Sequence, residues 1–220
     1  PAAQKELPAR VPKQWGDAQD EPRHNPGHTA TCRDSEEGES THFGDLIHLK
    51  QEHTLRIGFQ NIGGISATKN KIKDDIIRCG IEKYEFDIFG LAEVNINWTH
   101  VPEADRLVHR SKHWWGEHHF TSAHNVTSAS RNRHQYGGVA MWSIGKAAHR
   151  VIGQGKDATG LGRWIWTRYR GRNNTTLKIF TAYRPNPPSE GPFTVHAQHR
   201  AYFNATGEDR CPRRAFLDDI

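Results

Sequence analysis

The pattern of apolar and polar positions changes at about residue 54. Residues 1–53 are rich in Pro, Gly, Ser, His and acidic residues, and they show almost no apolar periodicity. From Leu55 to Asn61, apolar residues alternate with small or polar ones, which is typical of a half-buried strand. The pattern therefore predicts a disordered or linker segment over 1–53 and a folded domain over 54–220.

The segments that follow predict a helix and a second strand. Between Lys69 and Cys79 the apolar residues have helical spacing, and Gly80 is the expected stop. The nearly unbroken apolar run from Phe86 to Val94 predicts a buried strand. Because strand, helix and strand follow one another at short intervals, the two strands are expected to be parallel neighbours.

The second half of the chain is rich in predicted strands, after an irregular segment over 95–135 that holds many His and Trp residues. This mixture of strands and helices predicts an α/β fold. Beyond the irregular segment the pattern predicts three strands over 137–143, 162–169 and 176–183, a hairpin turn over 170–174, and helices over 193–205 and 213–220.

Aromatic and histidine side chains have two interpretations. Trp98, Trp114 and Trp115 fall in the irregular segment, where they could stack on bases or grip a groove. Trp164 and Trp166 alternate along a predicted strand and are expected in the core. The pair at 118–119, two histidines in the irregular segment, is expected in a loop rather than at a metal.

Charge is distributed unevenly along the chain. The formal net charge is +5, but residues 1–53 hold 6 Lys and Arg against 10 Asp and Glu, whereas residues 54–220 hold 24 against 15. Most of the excess lies in residues 131–172, where nine basic residues accompany one acid, Asp157. Such a basic block suits a polyanionic partner such as nucleic acid, and a solvated basic face explains it equally well.

Two classes of protein are disfavoured. No run of about 18 apolar residues is present, so no membrane partner is expected. The three cysteines are odd in number and widely spaced, without a Cys-x-x-Cys pair, which supports neither a disulfide framework nor a zinc site. This cysteine usage favours a reducing compartment.

Three polar residues stand where predicted strands end: Asn61, Glu93 and Tyr183. Ligands of α/β sheets bind in the loops after strand ends. Glu93 suits Mg²⁺, which is commonly held by one or two carboxylates with waters and phosphate oxygens. Asn61 could orient a phosphate or a water, and the Tyr183 hydroxyl could donate to a phosphoryl oxygen. Taken singly, each also has a structural explanation, namely a salt bridge, turn chemistry or packing.

The order of short motifs along the chain is similar to that of a known superfamily. The set resembles the endonuclease/exonuclease/phosphatase superfamily, and most of all the endonuclease domains of non-LTR retrotransposons. The resemblance covers residues 54–220 and corresponds to the N-terminal part of such a domain. Its motifs, in chain order, are Gln60-Asn61, Leu91-Ala92-Glu93, Gly137-Gly138-Val139-Ala140, Arg163-Trp164 and Ala182-Tyr183-Arg184-Pro185-Asn186.

The resemblance implies a fold, a set of catalytic residues and a metal. The implied fold is a four-layer α-β-β-α sandwich of the DNase I type, incomplete at its C-terminus. Glu93 matches the metal-binding glutamate, and Asn61 matches the asparagine that ends the first strand. Tyr183 matches the tyrosine that contacts the scissile phosphate, and Asn186 matches the asparagine of the Tyr-x-Pro-Asn motif. The implied cofactor is Mg²⁺, with Mn²⁺ as a substitute.

The resemblance also implies a DNA partner and a DNA-nicking activity that hydrolyses phosphodiester bonds. It implies a retrotransposon-type polyprotein with a reverse transcriptase domain on the same longer chain, acting in the nucleus if element-encoded. The family's Gly-Asp-x-Asn motif and Asp-His pair are not among these residues, so the fragment by itself is expected to be inactive. The candidate nucleic-acid-binding residues are Arg131, Arg133, Arg163, Arg168 and Arg184.

Two alternatives remain open at this stage. One is an inositol-phosphate or lipid phosphodiesterase of the same superfamily, for which the basic block would serve equally well. The other is a degenerate fragment that binds nucleic acid without catalysis. Salt-dependent DNA binding discriminates against the first, and DNA binding without metal-dependent cleavage would identify the second.

Overall fold

Within the part of the chain that the structure describes, seven strands form two sheets. The computed structural model describes residues 49–67, 72–128, 132–188, 191 and 193–220. The prediction of a disordered or linker segment over 1–53 falls almost wholly on residues 1–48, which lie outside the described part of the chain.

The first sheet has four strands in the order β1-β2-β4-β3. Strand β1 (Ile57–Asn61) pairs in parallel with β2 (Ile88–Ala92), which confirms the predicted parallel neighbours. Strands β3 (His118–Ala123) and β4 (Val139–Ile144) extend the sheet by antiparallel pairing. The two histidines expected in a loop therefore begin β3, and that prediction was wrong.

Helix α1 (Ile72–Lys83) connects the two parallel strands. The predicted stop at Gly80 was wrong, because the helix continues for another turn. Ile81, in that additional turn, is only 2% exposed. Its burial on the sheet stabilises the extra turn by more than a glycine in the helix destabilises it.

The second sheet has three antiparallel strands, β5 (Val151–Lys156), β6 (Trp164–Arg170) and β7 (Thr176–Ala182), in that order. The predicted hairpin between the last two is confirmed. Its turn places Asn173 and Asn174 in the left-handed conformation that asparagine tolerates well.

The two sheets pack face to face around a common apolar core. This core includes Ile88 and Met141 from the first sheet and Ile165 and Tyr169 from the second. The sheets approach closely at Gly90, because a Cβ there would lie 2.5 Å from the Thr181 hydroxyl oxygen. A buried hydrogen bond of 2.7 Å between the Ser143 and Tyr169 hydroxyls also crosses this interface.

Helices and short turns cover the opposite face of the first sheet. Helix α1 buries Ile77 and Ile81 there, and the single-turn helix α2 (Leu107–Arg110) buries Leu107. Trp98 is 7% exposed, and Trp114 and Trp115 pack against the buried Trp142 with ring centroids 5.6 and 6.2 Å away. The suggestion that these three indoles stack on bases is therefore wrong, since they belong to this core.

Helix α4 (Pro212–Asp219) covers part of the outer face of the second sheet, where Phe216 packs on Trp164 with ring centroids 5.8 Å apart. Helix α3 (Val195–Ala205) precedes it and begins at a Thr194 cap, whose hydroxyl accepts the amide of Ala197 at 3.2 Å. The sequence of layers is thus helix, sheet, sheet, helix, which confirms the predicted α/β sandwich. No helix in the described ranges is long and apolar enough to cross a bilayer.

Candidate active site

The carboxyl ends of β2 and β7 meet at one end of the sandwich, although they belong to different sheets. An open cleft of about 560 Å³ lies there. Three of the predicted catalytic residues line it, namely Glu93, Tyr183 and Asn186. The structure therefore brings together side chains that are ninety residues apart in sequence. Only tertiary packing joins residues so far apart.

Glu93 is held in an unusual backbone conformation. It follows β2 directly and adopts a φ of 54°, and Asn95 has a φ of 58°. The Gly64 amide donates to the Glu93 carbonyl at 2.6 Å, and the Gly137 amide donates to the buried Asn95 side-chain oxygen at 2.8 Å. These bonds from two neighbouring loops maintain a backbone conformation that is unfavourable for residues other than glycine.

The Glu93 carboxylate lies close enough to the Tyr183 hydroxyl to act on its pKa. Burial first, and this carboxylate second, raise the pKa of Tyr183 well above its usual value, so the hydroxyl stays protonated at neutral pH. Asn186 lies on the other side of the hydroxyl, with its amide nitrogen 3.5 Å from the phenolic oxygen. The three side chains thus lie next to one another at the mouth of the cleft.

Asn61 ends β1 beside Ala92, one residue before Glu93. Its side chain does not line the cleft. The side-chain oxygen instead accepts the amide of Gly63 at 3.1 Å, which is ordinary turn chemistry. Gly63 lines the cleft, so in this structure Asn61 shapes the wall of the site through the turn.

Three further cleft residues were not found from the sequence. Asn95 fixes the loop after β2, and Thr194 and His196 come from the start of α3. Burial and the positive charges of Arg200 and Arg213 lower the pKa of His196, so the imidazole is neutral at pH 7. The Asn-rich run after Glu93 was the only local signal for Asn95. The sequence around His196 holds no local signal, because the packing of α3 is what brings this residue to the cleft.

The predicted nucleic-acid-binding arginines have different positions. Arg133 and Arg184 are exposed, and Arg184 directly follows Tyr183. Arg133 is in the loop that leads to Tyr136 and Gly137 at the cleft wall. Arg168 is exposed on the second sheet, and Arg131 lies outside the described residues.

Arg163 is not available to a nucleic acid in this structure. Its side chain is fully buried and contacts Asp157 at 2.6 Å and Asp219 at 2.9 Å. Its selection as a nucleic-acid-binding residue is corrected accordingly. An arginine satisfied by two carboxylates within the core holds the fold together and leaves no donor for a phosphate.

Among the described residues, Glu93 is the single acidic residue that lines the cleft. No group of three or more His, Cys, Asp or Glu side chains suited to a metal occurs within the described ranges. The described residues therefore do not surround a metal ion with protein ligands alone. One half-buried carboxylate facing an open cleft, with asparagine side chains beside it, fits Mg²⁺, which commonly retains waters and takes phosphate oxygens as ligands.

Comparisons with known proteins find similarity at the level of solved structures. No protein-family model and no curated protein matches the chain. An AP endonuclease from Archaeoglobus fulgidus is similar over 60% of this chain and 42% of its own length, with 20% identity and a TM-score of 0.38. The APE2 catalytic domain from Xenopus laevis is similar over 74% of this chain and 55% of its own, with 18% identity and a TM-score of 0.39.

A third similar structure is an endonuclease/exonuclease/phosphatase family protein from Leptotrichia buccalis. It is 12% identical, with a TM-score of 0.37, over 71% of this chain and 65% of its own length. The chain spans about half the length of the first two structures. At such TM-scores the similarity is too distant to assign an activity.

Proposed function

We propose that the chain carries part of the active site of a metal-dependent phosphodiester hydrolase, and that its substrate is DNA, which it nicks. The observation that supports this most strongly is that Glu93, Tyr183 and Asn186 line one cleft, with Tyr183 adjacent to both of the others. The exposed arginines beside the cleft favour a polyanionic substrate over a small neutral one. A place in a retrotransposon-type polyprotein with a reverse transcriptase belongs to the same proposal and rests on the motif order alone.

Each residue has a distinct part in this mechanism. Glu93 would hold Mg²⁺ or Mn²⁺, which when bound stabilises charge on the phosphoryl and leaving oxygens. The Tyr183 hydroxyl has one proton, so in a substrate complex without the cation Glu93 and a phosphoryl oxygen would compete for it. With its charge neutralised by the bound cation, the Glu93 carboxylate would be a weaker acceptor. The Tyr183 hydroxyl would then donate its proton to the hydrogen bond with the phosphoryl oxygen. Asn186 would position the hydroxyl.

The first test measures Mn²⁺ binding and nicking of supercoiled plasmid separately. Mn²⁺ binding is followed by water-proton relaxation, and nicking is followed on gels with Mg²⁺. Mn²⁺ binding is measured on this chain. Nicking is measured on this chain, for which none is expected, and, where the reading frame continues past Ile220, on the longer product of the gene, to which all nicking outcomes below refer. Glu93→Gln keeps the shape and removes the charge, and we expect it to abolish Mn²⁺ binding and to lower nicking about a hundredfold or more.

Tyr183→Phe separates the two parts of the site. It retains the carboxylate, so Mn²⁺ binding should persist, whereas nicking should fall on the order of a hundredfold through loss of one donor to the phosphate. Glu82→Gln, at an exposed position on α1, is the control and should change neither measurement. Unchanged Mn²⁺ binding or unchanged nicking in Glu93→Gln would contradict the proposal.

The same assays separate the two alternatives. Hydrolysis of soluble inositol phosphates without any plasmid nicking would identify a phosphodiesterase of a different substrate class. Salt-dependent DNA binding without Mg²⁺-dependent nicking by a folded wild-type chain would identify a non-catalytic fragment.

A further inference from the structure

The outer face of the second sheet carries an exposed group of cations and aromatic rings, which we call the cation–aromatic face. It consists of Trp166, Arg168 and Arg170 on β6 and of Lys178 and Phe180 on β7. Alternate residues of a strand share a face, and the pairing register places Trp166 opposite Phe180 and Arg168 opposite Lys178. The set is therefore contiguous on the folded protein.

Helix α4 covers this sheet face only at one end. Phe216 packs on Trp164, which is 7% exposed. Two positions further along β6, Trp166 is half-buried, and Phe180 beside it is 39% exposed. The cations Arg168, Arg170 and Lys178 are exposed as well. The covering layer thus ends where the cation–aromatic face begins.

The neighbouring strand β5 has glycines where it adjoins this face. Gly155 pairs with Trp166, and a Cβ on Gly155 would lie 2.5 Å from the indole ring. Gly153 pairs with Arg168, and a Cβ there would lie 3.6 Å from the guanidinium. The Trp166 indole and the Arg168 guanidinium therefore extend over the β5 backbone at these two glycines, which have no side chains there. The result is a broad, shallow surface.

The electrostatics of the face are unbalanced. Arg168 and Lys178 are directly opposite one another, and like charges in such a cross-strand pair destabilise a sheet. Strands β5, β6 and β7 contain no acidic residue. The Lys178 ammonium lies instead 4.2 Å from the Trp166 ring centroid and 4.8 Å from that of Phe180. An anionic partner would relieve this repulsion.

We infer that the cation–aromatic face binds single-stranded nucleic acid. Proteins that bind single strands without sequence preference combine a basic surface for the phosphates with aromatic rings on which bases stack. The face offers three cations and two rings within a few strand positions. A base that stacks on Trp166 displaces only the solvent-exposed contact with Lys178, which is weak. A duplex hides the faces of its bases and could use only the cations.

This inference goes beyond the proposed hydrolase, because the face is separate from the cleft. The cleft lies at the ends of β2 and β7, between the sheets, whereas the face lies on the outside of the second sheet. A single strand held there would be tethered near the nuclease site without entering it. Substitutions at one surface are therefore expected to leave the other in place.

The test measures binding of a fluorescent oligothymidylate by anisotropy, with EDTA present so that hydrolysis contributes nothing. Arg168→Glu/Lys178→Glu should raise the Kd at least tenfold. The slope of log K against log salt should become shallower by about 1.4, as expected for two lost phosphate contacts on a single strand. Lys112→Glu/Lys146→Glu makes the same charge change outside the face and should raise the Kd by less than about threefold.

Phe180→Leu tests the stacking part of the inference. It keeps an apolar side chain on β7 and removes the ring, so it should weaken oligothymidylate binding several-fold. It should leave binding of an abasic strand of equal length unchanged. Wild-type protein should bind the abasic strand roughly tenfold more weakly than oligothymidylate.

Several outcomes would overturn the inference. These are equal binding of the abasic strand and oligothymidylate, tighter binding of duplex than of single strand, equal competition by polyglutamate, or equal losses in the face and control double variants. If circular dichroism shows that the glutamate variant is unfolded, Arg168→Gln/Lys178→Gln and Phe180→Leu decide the question. Loss of nicking in Glu93→Gln with unchanged oligothymidylate binding would leave this inference intact.

Discussion

Arginines that belong to one basic block in the sequence have opposite positions in the fold. The Arg163 side chain is fully buried between Asp157 and Asp219, whereas Arg168, only five positions on, is exposed. Neither position can be inferred from residue type, because a guanidinium is buried only where carboxylates meet it, and Asp219 comes from a segment far along the chain. The same holds for Glu93, whose partner Tyr183 comes from the other sheet.

At the scale of single residues, His199 makes stability depend on pH. It is 2% exposed, and burial first, with the positive charge of Arg163 second, lowers its pKa to about 3. In the unfolded chain a histidine titrates near 6.5. The unfolded state therefore binds a proton first as the pH falls, so the contribution of His199 to stability is complete above about pH 6.5 and is lost toward pH 3.

We expect His199 alone to lower the free energy of unfolding by about 2 kcal/mol between pH 7 and pH 5. His124, whose pKa burial lowers to about 4, acts in the same sense. Urea unfolding at pH 7, 6 and 5 measures the slope. His199→Gln should give a shallower slope than wild type, whatever its absolute stability, and an identical slope would refute this account.

At the scale of elements, two strands were missed by the sequence prediction for one physical reason. Strand β5 has glycine at 153 and 155, and β3 begins with two histidines, so neither shows clean apolar alternation. Strand β5 forms because β6 presents a free edge to it, and β3 forms because β4 presents one. Pairing with a formed strand overrides weak local preference.

The attachment of α4 to the second sheet depends on a buried ion pair. Arg163, directly before β6, contacts Asp157 and also Asp219 at the end of α4. Arg163→Met would leave the Asp157 carboxylate buried without its charge partner, and we expect a loss of about 3–5 kcal/mol in the free energy of unfolding. Chemical denaturation measures this loss.

Two companion variants check the cause. Arg163→Met/Asp157→Leu removes both charges and should recover much of the stability. Arg214→Met removes an exposed ion pair with Asp218 on the same helix and should have little effect. Equal losses from Arg163→Met and Arg214→Met would show that burial of the pair is not what matters.

At the scale of the whole molecule, the sheets overlap only in part. Strand β7 lies over β2 and β4. Strand β1 is an edge strand of the first sheet, and its side chains Ile57 and Phe59 are 49% and 58% exposed. Apolar side chains on an exposed edge strand are sites for self-association.

We therefore expect Phe59→Thr to reduce concentration-dependent association, measured by analytical ultracentrifugation. Threonine retains β propensity, and a side chain already more than half exposed contributes little to stability, so the free energy of unfolding should change by less than about 1 kcal/mol. Phe89→Thr is the buried counterpart on β2 and should lose roughly 3 kcal/mol. Unchanged association in Phe59→Thr would show that β1 is not the contact.

The sequence by itself determined where the main strands lie and which polar residues end them. Hydrophobic periodicity and turn residues are local properties, so β1, β2, β4, β6, β7 and the hairpin could be predicted within a few residues. The same patterns placed Glu93 and Tyr183 at strand ends, which made them candidates before any contact was known.

Only the tertiary structure decided which of those candidates meet. Glu93, Tyr183 and Asn186 share a cleft because two sheets pack face to face, whereas Asn61 is engaged in its own turn. Packing likewise buried the indoles of the irregular segment and left the cations of β6 and β7 exposed on one face. These outcomes depend on contacts between segments far apart in sequence, and local periodicity contains no information about which distant segments will meet.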